Sequence, residues 1–175
     1  IIGAENVLEA VVRNNVKKSV VLSTDKAVYP INAMGMTKAL MEKLAISKVR
    51  DARVKENNNM ICVTRYGNVM CSRGSVIPLF IQQILEGKAI TITDPKMTRF
   101  MMSLSESVDL VFYAFENANP GDIFIQKSPA ATVITLANAL QELFNSSSEI
   151  NIIGARHGEK VYESLGSQEE MSKAE

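Results

Sequence analysis

Ser19-Val20-Val21-Leu22-Ser23-Thr24, closed abruptly by Asp25-Lys26, is a short β-branched run with apolar residues on both faces, as in the central strands of parallel sheets. Ligands of open parallel α/β sheets gather beyond the carboxyl ends of the strands, so the polar residues ending this run stand on functional ground. Upstream, Val7, Leu8, Val11 and Val12 recur at helical steps and predict an amphipathic helix over 6–14. Downstream, the turn formers Tyr29-Pro30-Ile31-Asn32 lead into a long helix over 34–50. The charged, Asn-rich segment 51–59 reads as an exposed loop, and 60–65 as a second buried strand. Strand, helix, strand in this order is the pattern of a parallel sheet.

Beyond Gly74 the pattern is mixed. Helices are expected over 76–86, 103–116 and 133–144, strands over 89–93, 122–126 and 150–153, a loop between 93 and 103, and a polar end. With 175 residues, 46% of them hydrophobic, the chain can bury one good core and a small second lobe. Lys plus Arg equals Asp plus Glu at nineteen each, so no net field exists to hold nucleic acid or an anionic membrane. Cys62 and Cys71 have no CxxC spacing and no accompanying His or Cys cluster. They read as reduced, buried thiols of a cytoplasmic protein, with no metal. No run of about eighteen apolar residues occurs. The chain opens on Ile rather than Met, in a segment that reads as helix in mid-protein context, and is therefore read as a piece of a longer protein.

The residues with chemistry on them begin at Thr24-Asp25-Lys26 and continue at Met34-Gly35-Met36-Thr37-Lys38, where 34 and 38 share a helix face one turn apart. Oxidation of a sugar alcohol by a nicotinamide needs an acid/base group at the hydroxyl and a lysine at the nicotinamide ribose, and Lys38 suits the second role. The stretch 23–38, STDKAVYPINAMGMTK, resembles the active-site segment of extended short-chain dehydrogenase/reductases. It is most similar to the inverting UDP-N-acetylglucosamine 4,6-dehydratases of surface polysaccharide and capsule synthesis. TRYGNVMCSRGSVIPLF, ITITDPKMTRFMMS and GARHGEKVYESL extend the resemblance over the whole chain, in order and spacing. One departure falls on the residue four before the lysine, where Met34 stands in place of the family's Tyr. A thioether cannot shuttle a proton. Tyr29 ranks lower as a substitute because its spacing puts it on the turn before the helix.

The resemblance implies an α/β protein: the C-terminal part of a Rossmann-like parallel sheet over 1–74, with a small mixed α/β substrate-binding lobe over 75–175 interleaved with the sheet. It implies C4 oxidation by NADP or NAD. Lys26 then takes the C5 proton, Asp25 protonates the departing C6 hydroxyl, and the hydride returns to C6 as C5 is reprotonated from the other face and so inverted. Tyr66, Gly67 and Asn68 are implied at the cofactor. Asn68, Arg73, Ser75, Val76, Thr93, Arg99 and Glu159 are implied at a UDP-N-acetylhexosamine, Arg99 and Arg73 gripping the diphosphate and Glu159 a ribose diol. Arg156 is an equally balanced candidate, His157 a loop hydrogen-bonder, and the nine methionines are core filler. No GxxGxxG loop precedes a strand, so the chain alone is expected to bind dinucleotide poorly and to have little activity. A homo-oligomer built on the long helices is expected. Three readings stand: the dehydratase; a UDP-sugar 4-epimerase, which would be expected to keep the Tyr that Met34 replaces; and a non-catalytic sugar-nucleotide-binding remnant.

Overall fold

A computed structural model describes residues 1–174. In chain order its first elements are α1 (Ile2–Arg13), β1 (Lys18–Thr24), a single 3-10 turn (Asp25–Ala27), α2 (Ala33–Lys48), α3 (Ala52–Glu56), β2 (Met60–Tyr66), β3 (Asn68–Val69) and α4 (Val76–Leu85). There follow β4 (Ile90–Ile92), β5 (Thr98–Met102), α5 (Leu104–Asn117), β6 (Ile123–Ile125), β7 (Ala130–Thr132), α6 (Val133–Leu143), β8 (Ile150–Ile152) and α7 (Gln168–Met171). They form two units, one of residues 1–66, 105–127 and 164–174, the other of residues 67–104 and 128–163.

The first unit is a parallel sheet in the order β1-β2-β6. β2 is its buried centre, and the period of two in a strand sends successive side chains to opposite faces. Ile61 and Val63 pack on one face with Leu8, Val12, Ala45 and Val54 from the helices; Met60 and Cys62 pack on the other with Ala114 of α5. Each fully buried side chain of this size contributes about 1.5–3 kcal/mol relative to exposure. α2 starts where the sequence says it should, since the Asn32 side chain accepts a hydrogen bond from the Gly35 N–H at 2.8 Å. Gly35 is required there: a Cβ would collide with the Lys26 carbonyl oxygen, so the helix lies directly against the 3-10 turn.

Four expectations are corrected here. β1 is paired to β2 alone among the described residues, and Leu22 is 49% exposed, so the strand buried on both faces is β2 rather than β1. Segment 51–59 is not an exposed loop. It contains α3, opened by Asp51, whose side chain accepts from the Arg53 N–H, and it buries Val54 and Asn59. Arg53 and then Lys48 hold the Glu9 carboxyl at about 2, so this charged stretch is fastened to α1 and α2. Cys62 is buried, and burial pushes its thiol up to about 11. Cys71 is exposed, on a backbone turn with φ of 57°. Met60, Met97 and Met102 are core, whereas Met34, Met36, Met70 and Met171 are exposed on helix faces and turns.

The second unit joins β3 parallel and β7 antiparallel to β5, and pairs β4 with β8 in parallel. Its core is Ile77, Phe80 and Ile84 of α4, Ile90 and Ile92 of β4, Met97, and Val133, Ala137 and Leu140 of α6. β5 occupies part of the segment expected as loop. Its partners β3 and β7 are two- and three-residue strands too short to leave a pattern in sequence. No helix among the described residues is long and apolar enough to cross a membrane.

Candidate functional site

In the first unit the parallel register sets Ser23 beside Arg65 and Thr24 beside Tyr66, so the two strand ends stop level. The chain then turns through Asp25–Ala27, with Thr24 Oγ1 accepting from the Lys26 N–H. Asp25 has no exposed surface. Its Oδ1 accepts from Thr24 Oγ1 and from Lys26 Nζ, each at 2.9 Å, while Oδ2 is buried with no hydrogen-bond partner among the described residues. An exposed ion pair is worth little and is common. A fully buried carboxylate with a spare oxygen is neither, and buried polar groups in native proteins are otherwise nearly always satisfied.

Lys38 and Met34 lie on α2 as their spacing demands. Lys38 Nζ reaches the Leu22 carbonyl at 3.4 Å, a long bond that leaves its other N–H groups available, and Met34 is 47% exposed. Tyr29 is engaged elsewhere: with φ of 44° its hydroxyl accepts from the Gln168 N–H at 3.1 Å, at the start of α7. Tyr66 closes β2 and is half-buried.

In the second unit a small cavity is lined by Asn68, Val76 and Arg99, with Met101, Thr132 and Leu136 among the walls. Asn68 Oδ1 and Ser75 Oγ are buried without partners among the described residues, although Ser75 is the N-cap of α4. Arg99 donates to the carbonyls of Thr98 at 2.8 Å and Lys160 at 3.1 Å and meets no carboxylate among the described residues. Gly67 lies against Phe100, whose Cβ and carbonyl oxygen would be 2.7 and 2.9 Å from an added Cβ. Arg73 is exposed on the turn before α4, Thr93 donates to Met97 Sδ, and Glu159 accepts from the Arg156 N–H. These three lie off the cavity wall, while His157 and Arg156 are exposed.

Sequence reasoning passed over Arg65, Glu42 and Glu170, which form an ionic cluster in the first unit, Arg65 and Glu42 buried and Glu170 half-buried. Two signals pointed to it: a charged residue inside the apolar run 60–66, which demands a partner, and the Ser167-x-x-Glu170 spacing of a helix start.

This layered arrangement, a parallel sheet with helices on both faces and polar groups at its carboxyl edge, is a Rossmann-like α/β fold. The fold is shared with dTDP-glucose 4,6-dehydratase from Bacillus anthracis in complex with NAD (TM-score 0.82, 18% identity, 99% of this chain and 60% of that one). It is shared equally with UDP-glucuronic acid 4-epimerase from Bacillus cereus in complex with UDP-glucuronic acid and NAD (TM-score 0.81, 21% identity, 99% and 60%). A closer likeness is to Pen from Bacillus thuringiensis, at TM-score 0.91 and 38% identity over 97% of this chain and 54% of that one. A family model described as polysaccharide biosynthesis protein matches residues 1–175, and the chain belongs to that family. Among curated relatives, UDP-glucose 4-epimerase of Rickettsia rickettsii is 67% identical over 175 residues, and that of Rickettsia prowazekii 66%. The chain spans about half the length of these relatives, 51% in each case.

Proposed function

We propose that the intact protein modifies a UDP-linked sugar by reversible oxidation at C4, with a nicotinamide dinucleotide accepting and returning the hydride. The observation carrying this reading is the level ending of β1 and β2, which brings buried Asp25, Lys26 and Tyr66 to one sheet edge beside the helix of Lys38. The group fits these residues: among the described residues Lys38 makes one long bond to protein, and it can hold ribose hydroxyls. In the second unit, Arg99, which meets no carboxylate among the described residues, and Asn68, whose oxygen has no partner among them, suit a diphosphate and its sugar. Ser75 and Val76 line or adjoin the same cavity, and Arg73, Thr93 and Glu159 are peripheral candidates.

The names of the relatives favour 4-epimerisation as the outcome. Dehydration of a UDP-N-acetylhexosamine with inversion at C5 is the second reading, favoured by a specific observation. Met34 supplies no phenol, whereas Asp25 is fully buried, paired to Lys26 and keeps a free oxygen for a departing hydroxyl. Assembly as a homo-oligomer belongs to the same proposal, with Met36 and Leu40 exposed on α2.

The test is incubation of the full-length protein with UDP-glucose and with UDP-N-acetylglucosamine, the product being read by mass spectrometry and NMR. An isomer of unchanged mass establishes the epimerase. Loss of one water with inversion at C5 establishes the dehydratase. Unchanged substrate despite measurable binding leaves a sugar-nucleotide-binding protein and overturns both.

A further inference from the structure

α2 carries Lys38, yet it has little apolar anchorage. Of its sixteen residues the buried ones are Gly35, Glu42 and Ala45, and the largest of these is a glutamate. Glu42 is 3% exposed; its Oε1 accepts from Ser23 Oγ at 2.5 Å and from Arg65 Nε at 3.1 Å, its Oε2 from an Arg65 terminal nitrogen at 2.7 Å. The other edge of the guanidinium donates to both Glu170 oxygens at 2.9 and 3.1 Å and to the Leu165 carbonyl at 2.8 Å. All five N–H donors of Arg65 are used.

Ser23, Arg65 and Glu42 each stand next to a candidate site residue. Ser23 precedes Thr24-Asp25, Arg65 precedes Tyr66, and Glu42 follows Lys38 by one helical turn. Stability does not account for the arrangement, because desolvating such a pair offsets most of its attraction and apolar residues of the same volume hold a fold as well. Direction does: apolar packing tolerates sliding and rotation, whereas a two-pronged carboxylate–guanidinium contact fixes both.

We propose that Ser23, Glu42 and Arg65 are positioning residues, which lock the register of α2 against the ends of β1 and β2 and so set Lys38 relative to Thr24-Asp25-Lys26. The kinetic part of the test rests on the C4-oxidation reading; the exchange part does not. In the full-length protein, Ser23→Ala, Glu42→Gln and the apolar pair Glu42→Met with Arg65→Met are compared with the parent. Backbone hydrogen exchange is expected to rise in 18–24 and 33–48 and to stay unchanged in 76–85. With UDP-sugar at saturation, kcat falls, by on the order of a hundredfold for the apolar pair, while KM is unchanged. The apolar pair, which leaves no carboxylate stranded at position 42, loses less resistance to urea than Arg65→Met alone. Parental exchange over 33–48 in Ser23→Ala and in the apolar pair overturns the proposal, as does parental kcat in both. If Glu42→Gln does not fold, those two variants still decide. If the parent turns over no UDP-sugar, the C4 reading fails, and the exchange result alone decides the positioning role.

Discussion

Arg65 in the first unit and Arg99 in the second both project from strands, and the protein treats their charges in opposite ways. Arg65 is 2% exposed and held between two carboxylates; burial alone would pull its proton affinity down, but the Glu42 and Glu170 hydrogen bonds outweigh it and push it above the ordinary range. Arg99 meets carbonyl oxygens and a thioether and no carboxylate among the described residues, and shares its cavity with an unpartnered Asn68 oxygen. A guanidinium with its charge neutralised inside the protein organises the fold. One with its charge left over is available to an anion.

The hardest way to break this contrast is Arg65→Ala. It strands the buried Glu42 carboxylate without a cation, and urea unfolding is expected to show a loss of about 3–5 kcal/mol; a loss near zero would sink the structural role. Arg99→Ala should do the reverse. Its unfolding midpoint stays near the parent's, while the affinity of the intact protein for UDP, read by calorimetry, drops by about 1.5–3 kcal/mol, the worth of a hydrogen bond to a charged group. Unchanged UDP affinity would make Arg99 another structural arginine. Asn68→Leu sharpens the point, since it removes a buried acceptor that has no partner: the melting temperature should equal or exceed the parent's while UDP binding weakens. A lower melting temperature with binding intact would mean that the side chain serves packing.

The smallest effect is in acid. The Arg65 hydrogen bond holds the Glu170 carboxyl at about 2 against an ordinary 4.5. A carboxylate depressed on folding contributes stability that is complete above 4.5 and lost as pH falls towards 2, where the folded form also protonates. Thermal unfolding followed from pH 5 to 2 should therefore fall more steeply in the parent than in Glu170→Gln; parallel curves would contradict the pairing.

The sheet of the first unit was legible because Val20, Val21, Ile61 and Val63 write a buried strand into a few residues, and α2 because the turn formers 29–32 mark its start. β1 was overvalued: its apolar run says nothing about which strand has neighbours on both sides, a question of pairing across the chain. α3 and α7 were hidden because five or four residues give no helical period and their stability comes from Asp51 and Ser167 at their starts. At the candidate site, the resemblance of 23–38 to a family's active-site segment pointed to Asp25, Lys26, Met34 and Lys38, with spacing placing 34 and 38 on one helix face. The burial of Asp25 and the grouping of Asn68, Val76 and Arg99 around one cavity were not legible, since the cavity wall runs from Asn68 to Leu136.

The bond between Arg65 and Glu170 joins residues 105 positions apart. The chain between them includes every residue of the second unit, and contacts spanning that much sequence carry a large loop-closure entropy and form after local ones. In kinetic terms the guanidinium is a latch that closes late. Until residues 164–174 dock, Arg65 can hold Glu42 but lacks its second carboxylate, and α7, with no buried side chain of its own, is fastened to the sheet through that guanidinium.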